Sequence, residues 1–145
     1  MTLIALAAGL GYPSAAAGLD SLRLRQTSDS IVSFLNTAVD RAERRQQVIE
    51  IVISPRDNLL TARSPDLEFQ RRLDINDPVR IVSIRPLLRN WAPDDPVHQQ
   101  PRRFIIYPGG AMPRIAVEIA NKQGRRRLVS IDPISGFPHV ELLAP

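Results

Sequence analysis

The feature that most constrains this fold is a change of hydrophobic period near residue 47. Before that point, apolar residues recur three, four or seven positions apart, at Leu24, Ile31, Leu35, Ala38 and Ala42. This spacing places them on one stripe of a helix, with charged residues on the opposite side. The sequence therefore predicts an amphipathic helix over residues 15–47 that packs one face on the rest of the molecule.

After residue 47 the apolar residues alternate or form short β-branched runs, which is the pattern of strands. Residues 48–54 and 59–63 are predicted to form a hairpin, and 67–75 and 79–84 two further strands, with more strands nearer the C-terminus. The turns between them are short, which favours antiparallel pairing. We expect an α+β fold in which a long N-terminal helix packs on antiparallel sheets of about seven short strands, with residues 48–145 as the β-rich part.

The first 14 residues are almost wholly apolar or small. The run up to Leu10 is about half of the ~20 residues that a helix needs to cross a bilayer, and no basic residue precedes it. We interpret residues 1–14 as the remnant of a longer hydrophobic N-terminal helix. Pro13 is expected to kink or restart the helix.

Composition excludes several kinds of site. The 145 residues contain no cysteine, which rules out disulfides, thiolate metal sites and a cysteine nucleophile. The formal net charge is +4, and Arg supplies every basic residue except Lys122. Such an excess attracts phosphate or anionic lipid, or it forms an ordinary solvated basic surface.

No catalytic motif is present in the sequence. His98 and His139 are the only side chains whose usual pKa suits a general base near neutral pH, and neither belongs to a recognised catalytic spacing. Asp94 and Asp95 form an acidic pair without further oxygen ligands at cation-site spacing. We therefore expect no enzyme activity, no metal and no cofactor; a cleft that held a histidine beside a carboxylate would support an enzyme instead.

Three motifs, taken in order, resemble the GspH/FimT group of type IV pilin-like proteins. The apolar start runs into Tyr12-Pro13-Ser14 and then into a helix dotted with arginines. The segment 104–110 (FIIYPGG) is similar to a hydrophobic strand followed by Pro and Gly in that group's sheet. The segment 127–136 (RLVSIDPISG) resembles the group's terminal hairpin.

The N-terminus departs from the pilin-like pattern. A precursor of this group carries a Gly before its cleavage site and a Glu shortly after it. Aligning Met1 with the start of the mature segment would place Ala5 where that Glu belongs. We expect instead that the leader, the cleavage site and the Glu lie upstream of Met1; the alternative is a leaderless homologue.

The resemblance implies a minor pseudopilin, a structural subunit of a type II secretion pseudopilus or a type IV pilus-like filament. Its expected partners are other pseudopilins or pilins, secreted cargo, and the bacterial inner membrane through the N-terminal helix. The globular part is expected in the periplasm; a chain that truly begins at Met1 is expected to be soluble. The residues expected to pack in the filament are Leu3, Ile4, Leu6, Leu10, Leu19 and Leu22.

An alternative function comes from arginines near the C-terminus. Some FimT-type proteins are implicated in DNA capture, and an arginine-rich hairpin is a suitable place for phosphate contacts. At least two side chains of Arg125, Arg126 and Arg127 are expected to project into solvent. Neighbouring strands would add Arg102, Arg103 and Arg114 as further DNA or partner contacts. No aromatic residues are interleaved for base stacking, which favours an ordinary solvated hairpin or a contact with another pseudopilin.

Overall fold

The structure is a computed structural model that describes residues 2–86 and 96–144, with side chains from residue 16 onward. One helix, α1 (Thr2–Arg45), precedes all the strands. A short 3-10 helix, Pro96–Gln99, lies between the fourth and fifth strands. The strands are β1 (Ile49–Ser54), β2 (Leu59–Arg63), β3 (Gln70–Asp74), β4 (Arg80–Arg85), β5 (Arg102–Ile106), β6 (Ala116–Ala120), β7 (Arg126–Ile131) and β8 (Pro138–Leu143).

The strands form two four-stranded sheets. Sheet A has the order β3-β2-β1-β5, and sheet B has the order β4-β6-β7-β8. Every paired neighbour runs antiparallel. The predicted α+β class is therefore confirmed, with eight strands in the described residues rather than about seven.

Helix α1 contacts both sheets. The predicted apolar stripe is confirmed, since its five residues from Leu24 to Ala42 are all buried. They meet fully buried side chains of β1 and β6, among them Ile49, Ile51 and Ile119. The helix backbone does not restart at Pro13 but continues from Thr2 to Arg45. It ends where Gln46 takes a positive φ of 50° and the Gln47 amide donates to the Ala42 carbonyl at 3.2 Å.

The predicted strand at 67–75 is shorter than its apolar pattern indicated. Residues 64–69 form a turn, and β3 begins only at Gln70. The Ser64 hydroxyl accepts the Phe69 amide at 3.1 Å, and the Leu67 amide donates to the Ser64 carbonyl. Leu67 has a φ of 61°, which is incompatible with an extended strand.

Asn58 joins the two sheets. It lies in the β1–β2 turn with a φ of 54°, a conformation that Asn tolerates better than most residues. Its Nδ2 donates to the carbonyls of Ile75 and Val79, each at 2.9 Å, and its Oδ1 accepts the Ile81 amide at 2.9 Å. A side chain in sheet A therefore fixes the connection that leads into β4 of sheet B. Sequence analysis assigned this residue only to a turn.

Candidate functional site

The predicted C-terminal arginine cluster, Arg125–Arg127, begins β7. The preceding turn closes through Asn121, whose Oδ1 accepts the backbone amides of Gln123 and Arg125, each at 3.0 Å. Gly124 completes the turn with a φ of 79°. Arg125 and Arg126 are exposed and Arg127 is half-buried, so the expectation that two of the three project into solvent is confirmed.

The three arginines of this cluster differ in how strongly they are held. Arg126 forms an ion pair with Glu118 of β6, with Nη1 and Oε1 3.2 Å apart. Arg125 donates from Nη1 to the hydroxyl of Ser21 on α1 at 3.1 Å, at the surface. The guanidinium of Arg127 makes no hydrogen bond or ion pair within residues 16–86 and 96–144. Among the described residues, no ion pair or hydrogen bond therefore competes with a ligand for the Arg127 guanidinium.

Glu118 is the central acidic group of the outer face of sheet B. Its side chain is only 8% exposed, and the Ser83 hydroxyl donates to Oε2 at 2.7 Å. Arg85 Nη2 lies 3.8 Å from the same oxygen. A buried carboxylate is costly unless it is paired, so Ser83 and the two arginines stabilise its charge.

The other predicted contact arginines do not all join this surface. Arg102 and Arg103 lie on β5 in sheet A, so strand pairing separates them from β7. Arg102 donates to the carbonyls of Ile84 and Pro86, at 3.0 and 2.6 Å, which occupies its guanidinium. Arg114 is exposed just before β6 in sheet B.

Arg103 forms part of an ionic cluster on the outer face of sheet A. Glu50 of β1 is paired with Arg103 of β5 and with Arg63 of β2, the latter at 2.9 Å. Burial by itself would raise the pKa of the Glu50 carboxyl. The hydrogen bonds and positive charges of Arg103 and Arg63 outweigh that effect and hold the pKa below its ordinary value of 4.5.

The two candidate histidines lie in different settings. His98 belongs to the 3-10 helix. His139 of β8 has Nε2 3.1 Å from the Ser130 hydroxyl and 3.4 Å from Glu141 Oε1. In a Ser-His-Asp triad the two ring nitrogens face different partners, whereas here one nitrogen faces both on an exposed strand. The grouping therefore does not have the geometry of a catalytic triad. The sequence pattern did not predict that these three residues lie together. Asp94 and Asp95 lie outside the described residues.

Residues 16–23 of α1 include two of the predicted filament residues. Leu19 and Leu22 are 47% and 48% exposed, and no residue from 16 to 23 is buried. The side chains of Leu3, Ile4, Leu6 and Leu10 lie outside the described ones. Within the described residues, no helix offers a stretch both long and apolar enough to cross a membrane.

Comparison with known proteins gives no relative for this chain. No protein-family model matches it, and neither a curated protein nor a solved structure shows significant similarity. Within the described residues, no three His, Cys, Asp or Glu side chains group as metal ligands.

Proposed function

We propose that this protein is a pilin-like filament subunit, a minor pseudopilin of the GspH/FimT kind. The observation that supports this is the division of α1 into two parts. From Leu24 to Ala42 the helix buries at least one side chain per turn in the domain, whereas residues 16–23 bury none. The exposed part nevertheless carries Leu19 and Leu22, three positions apart and therefore on one helix face.

An exposed leucine pair on a helix is a suitable surface for a second helix. Burying a fully exposed leucine side chain contributes about 1.5–3 kcal/mol, and each of these half-exposed leucines would contribute about half of that. An aliphatic face also packs well against the helix of a neighbouring subunit. In this function the β-domain is displayed outward and its loops contact other subunits or secreted cargo. The β7–β8 turn suits such a contact, because Ile134 and Phe137 are 95% and 69% exposed there.

Cysteine cross-linking in the bacterial envelope tests the proposal. The chain has no natural cysteine, so a single introduced thiol gives an unambiguous signal. We expect a thiol-attached photo-cross-linker at Leu19→Cys or Leu22→Cys to capture the helices of other pilin-like subunits. Asn36→Cys is the matched control, because Asn36 is also exposed on α1 but lies in the part that packs on the domain. Equal cross-linking at all three positions, or none at positions 19 and 22, would contradict filament packing through this face.

A second candidate function is DNA binding by the arginine cluster. It is favoured by the exposure of Arg125 and Arg126 and by the guanidinium of Arg127, which makes no ion pair with other described residues. Phosphate contacts by arginine give binding that is independent of sequence and falls steeply with salt.

The DNA-binding candidate is tested on double-stranded DNA at several salt concentrations. Replacing Arg125, Arg126 and Arg127 by Gln should weaken binding strongly and lower the slope of log affinity against log salt by about 0.9 for each lost phosphate contact. The control replaces Arg45, Arg56 and Arg71 by Gln, three exposed arginines outside sheet B, and so removes the same number of charges. If both variants lose the same affinity, binding reflects net charge and not this cluster.

A further inference from the structure

A small pocket lies on the outer face of sheet B, at the end opposite the arginine cluster. Strand register places Arg85, Ala116, Ser130 and His139 in one row across β4, β6, β7 and β8. The buried neighbours Val117 and Val129 face the core, so by alternation this row faces outward. Two small side chains, alanine and serine, thus lie between two long ones and leave a depression.

The walls of this pocket are held in place by hydrogen bonds. Arg102 donates to the carbonyls of Ile84 and Pro86, on either side of Arg85. The Ile131 amide donates to the Ile115 carbonyl at 3.0 Å, which ties β7 to the entry of β6. The backbone that carries the pocket is therefore held in place without a ligand, and binding has to order only the arginine side chains.

Two guanidiniums line the pocket. Arg114 makes no hydrogen bond or ion pair within the described residues, so it is available to a ligand. Arg85 has Glu118 as its ionic neighbour, at 3.8 Å, which is too far for a hydrogen bond. Glu118 is shared between Arg85 and Arg126, so Arg114 is the pocket guanidinium without an ionic partner among the described residues.

The size and lining of the pocket restrict the ligand further. Its volume is about 250 Å³, below the ~300–1,000 Å³ of ordinary small-molecule sites, so it suits a single residue-sized group. Four of its seven lining residues are apolar: Pro86, Ile115, Ala116 and Ile131. The remaining three are Arg85, Arg114 and Ser130, which supply hydrogen-bond donors.

We propose that this pocket binds a carboxylate monoanion that bears a short aliphatic group. The planar guanidinium of Arg114 fits a carboxylate with two parallel hydrogen bonds, and the aliphatic group lies against the apolar walls. A phosphate dianion fits less well, because four of the seven lining residues are apolar and would face its remaining oxygens. The inference does not depend on the proposed filament function, because the pocket belongs to a single chain.

Two sources share this chemistry: a free short-chain aliphatic acid, and the C-terminal residue of a peptide that ends in an aliphatic side chain. The peptide arm uses acetyl-Ala-Ala-Leu with a free C-terminus and the same peptide with a C-terminal amide. The free-acid arm uses hexanoate and its neutral analogue hexanamide. If the peptide acid binds more tightly than hexanoate, the ligand is a chain terminus. If it binds equally or more weakly than hexanoate, the ligand is a free acid. Either result supports the carboxylate site.

The test is a titration of the full chain with each ligand. Binding is measured by calorimetry or by NMR chemical-shift changes at residues around the pocket. Hexanoate or the peptide acid should bind, and hexanamide and the peptide amide should not. Arg114→Gln should weaken binding at least about fivefold, because it removes the charge-assisted hydrogen bonds. Ala116→Leu should abolish binding by filling the pocket without changing any charge. Arg56→Gln, which makes the same charge change on the β1–β2 turn, should leave the affinity unchanged.

The proposal is overturned if the carboxylates bind no more tightly than their neutral analogues. It is also overturned if inorganic phosphate binds more tightly than hexanoate, or if Arg114→Gln and Arg56→Gln have equal effects. Arg114 makes no described contact that the fold depends on, so the variant should keep the wild-type melting temperature. Filament cross-linking is measured separately, so a failure of this site is distinguishable from a failure of the proposed function.

Discussion

The hydroxyl of Ser83 on β4 donates to the carboxylate of Glu118 on β6 at a distance of 2.7 Å. The two residues are register partners, and both are buried although sheet B exposes this face. Arg126 of β7 reaches the other oxygen of the same carboxylate at 3.2 Å. One side chain of the central strand thus connects three strands of the sheet through polar contacts.

Glu118→Ala should lower the free energy of unfolding by about 1–3 kcal/mol, because Ser83 loses a buried acceptor and two arginines lose their counter-charge. Glu118→Gln should cost less, since the amide oxygen still accepts from Ser83. Urea denaturation provides the measurement. The control is Glu141→Gln on the edge strand β8, where the carboxylate is exposed and a change within about 0.5 kcal/mol is expected. Equal losses at both positions would mean that this network does not stabilise the sheet.

Asn58→Ala should be among the most destabilising single changes in the chain. It removes three buried hydrogen bonds and places alanine at positive φ, which together cost about 3 kcal/mol or more. Asn58→Gly relieves the backbone strain but not the lost hydrogen bonds, so its stability should lie between those of the alanine variant and the wild type. Denaturant midpoints measure all three proteins, and Asn36→Ala on the exposed helix face serves as the control with little expected change.

Stability should fall in acid because of the Glu50 cluster. A carboxyl with a lowered pKa in the folded state stabilises the protein above its unfolded pKa, and that contribution is lost as pH falls through the folded pKa. For Glu50 the loss therefore occurs below its ordinary value of 4.5. The pKa values of Asp66, Asp74 and Asp132 are lowered as well, by hydrogen bonds from Ser64, Arg72 and the Ile134 amide respectively. These carboxyls add to the acid sensitivity in the same direction.

The acid effect is measured by denaturation at about pH 7 and about pH 3. Glu50→Gln should reduce the difference in stability between the two pH values, because the amide does not titrate. Glu68→Gln is the control: Glu68 is exposed and makes no ion pair with other described residues. If Glu50→Gln leaves the pH dependence unchanged, the ion pairs with Arg63 and Arg103 do not survive in solution.

The two parts of α1 should respond differently to truncation. Leu35→Ala removes a fully buried side chain and should cost about 2–5 kcal/mol. Leu22→Ala changes a half-exposed side chain and should alter the stability of the isolated protein by less than about 0.5 kcal/mol. Thermal unfolding of both variants tests whether the packed part of α1 begins after residue 23. A large loss at Leu22 would show that the exposed part of α1 packs within the same molecule.

The sequence by itself determined the helix, its buried stripe and the antiparallel β class, because these follow from the spacing of apolar residues along the chain. It also indicated that at least two of Arg125, Arg126 and Arg127 would be exposed, since they follow a polar turn. The sequence did not predict where β3 begins. Leu67 and Phe69 alternate with polar residues as in a strand, but hydrogen bonds to Ser64 turn the backbone there.

The tertiary structure alone decided which arginines share a surface. Arg102 and Arg103 begin a strand, as Arg126 does. They nevertheless lie in a different sheet, because β5 pairs with β1 whereas β7 pairs with β6. It also decided the partners of Glu118, the connection made by Asn58 and the row that runs from Arg85 to His139. Local pattern records the face on which a side chain lies, whereas partners distant in sequence depend on strand order and register. Those are set by packing the whole core at once, and a local spacing carries no information about them.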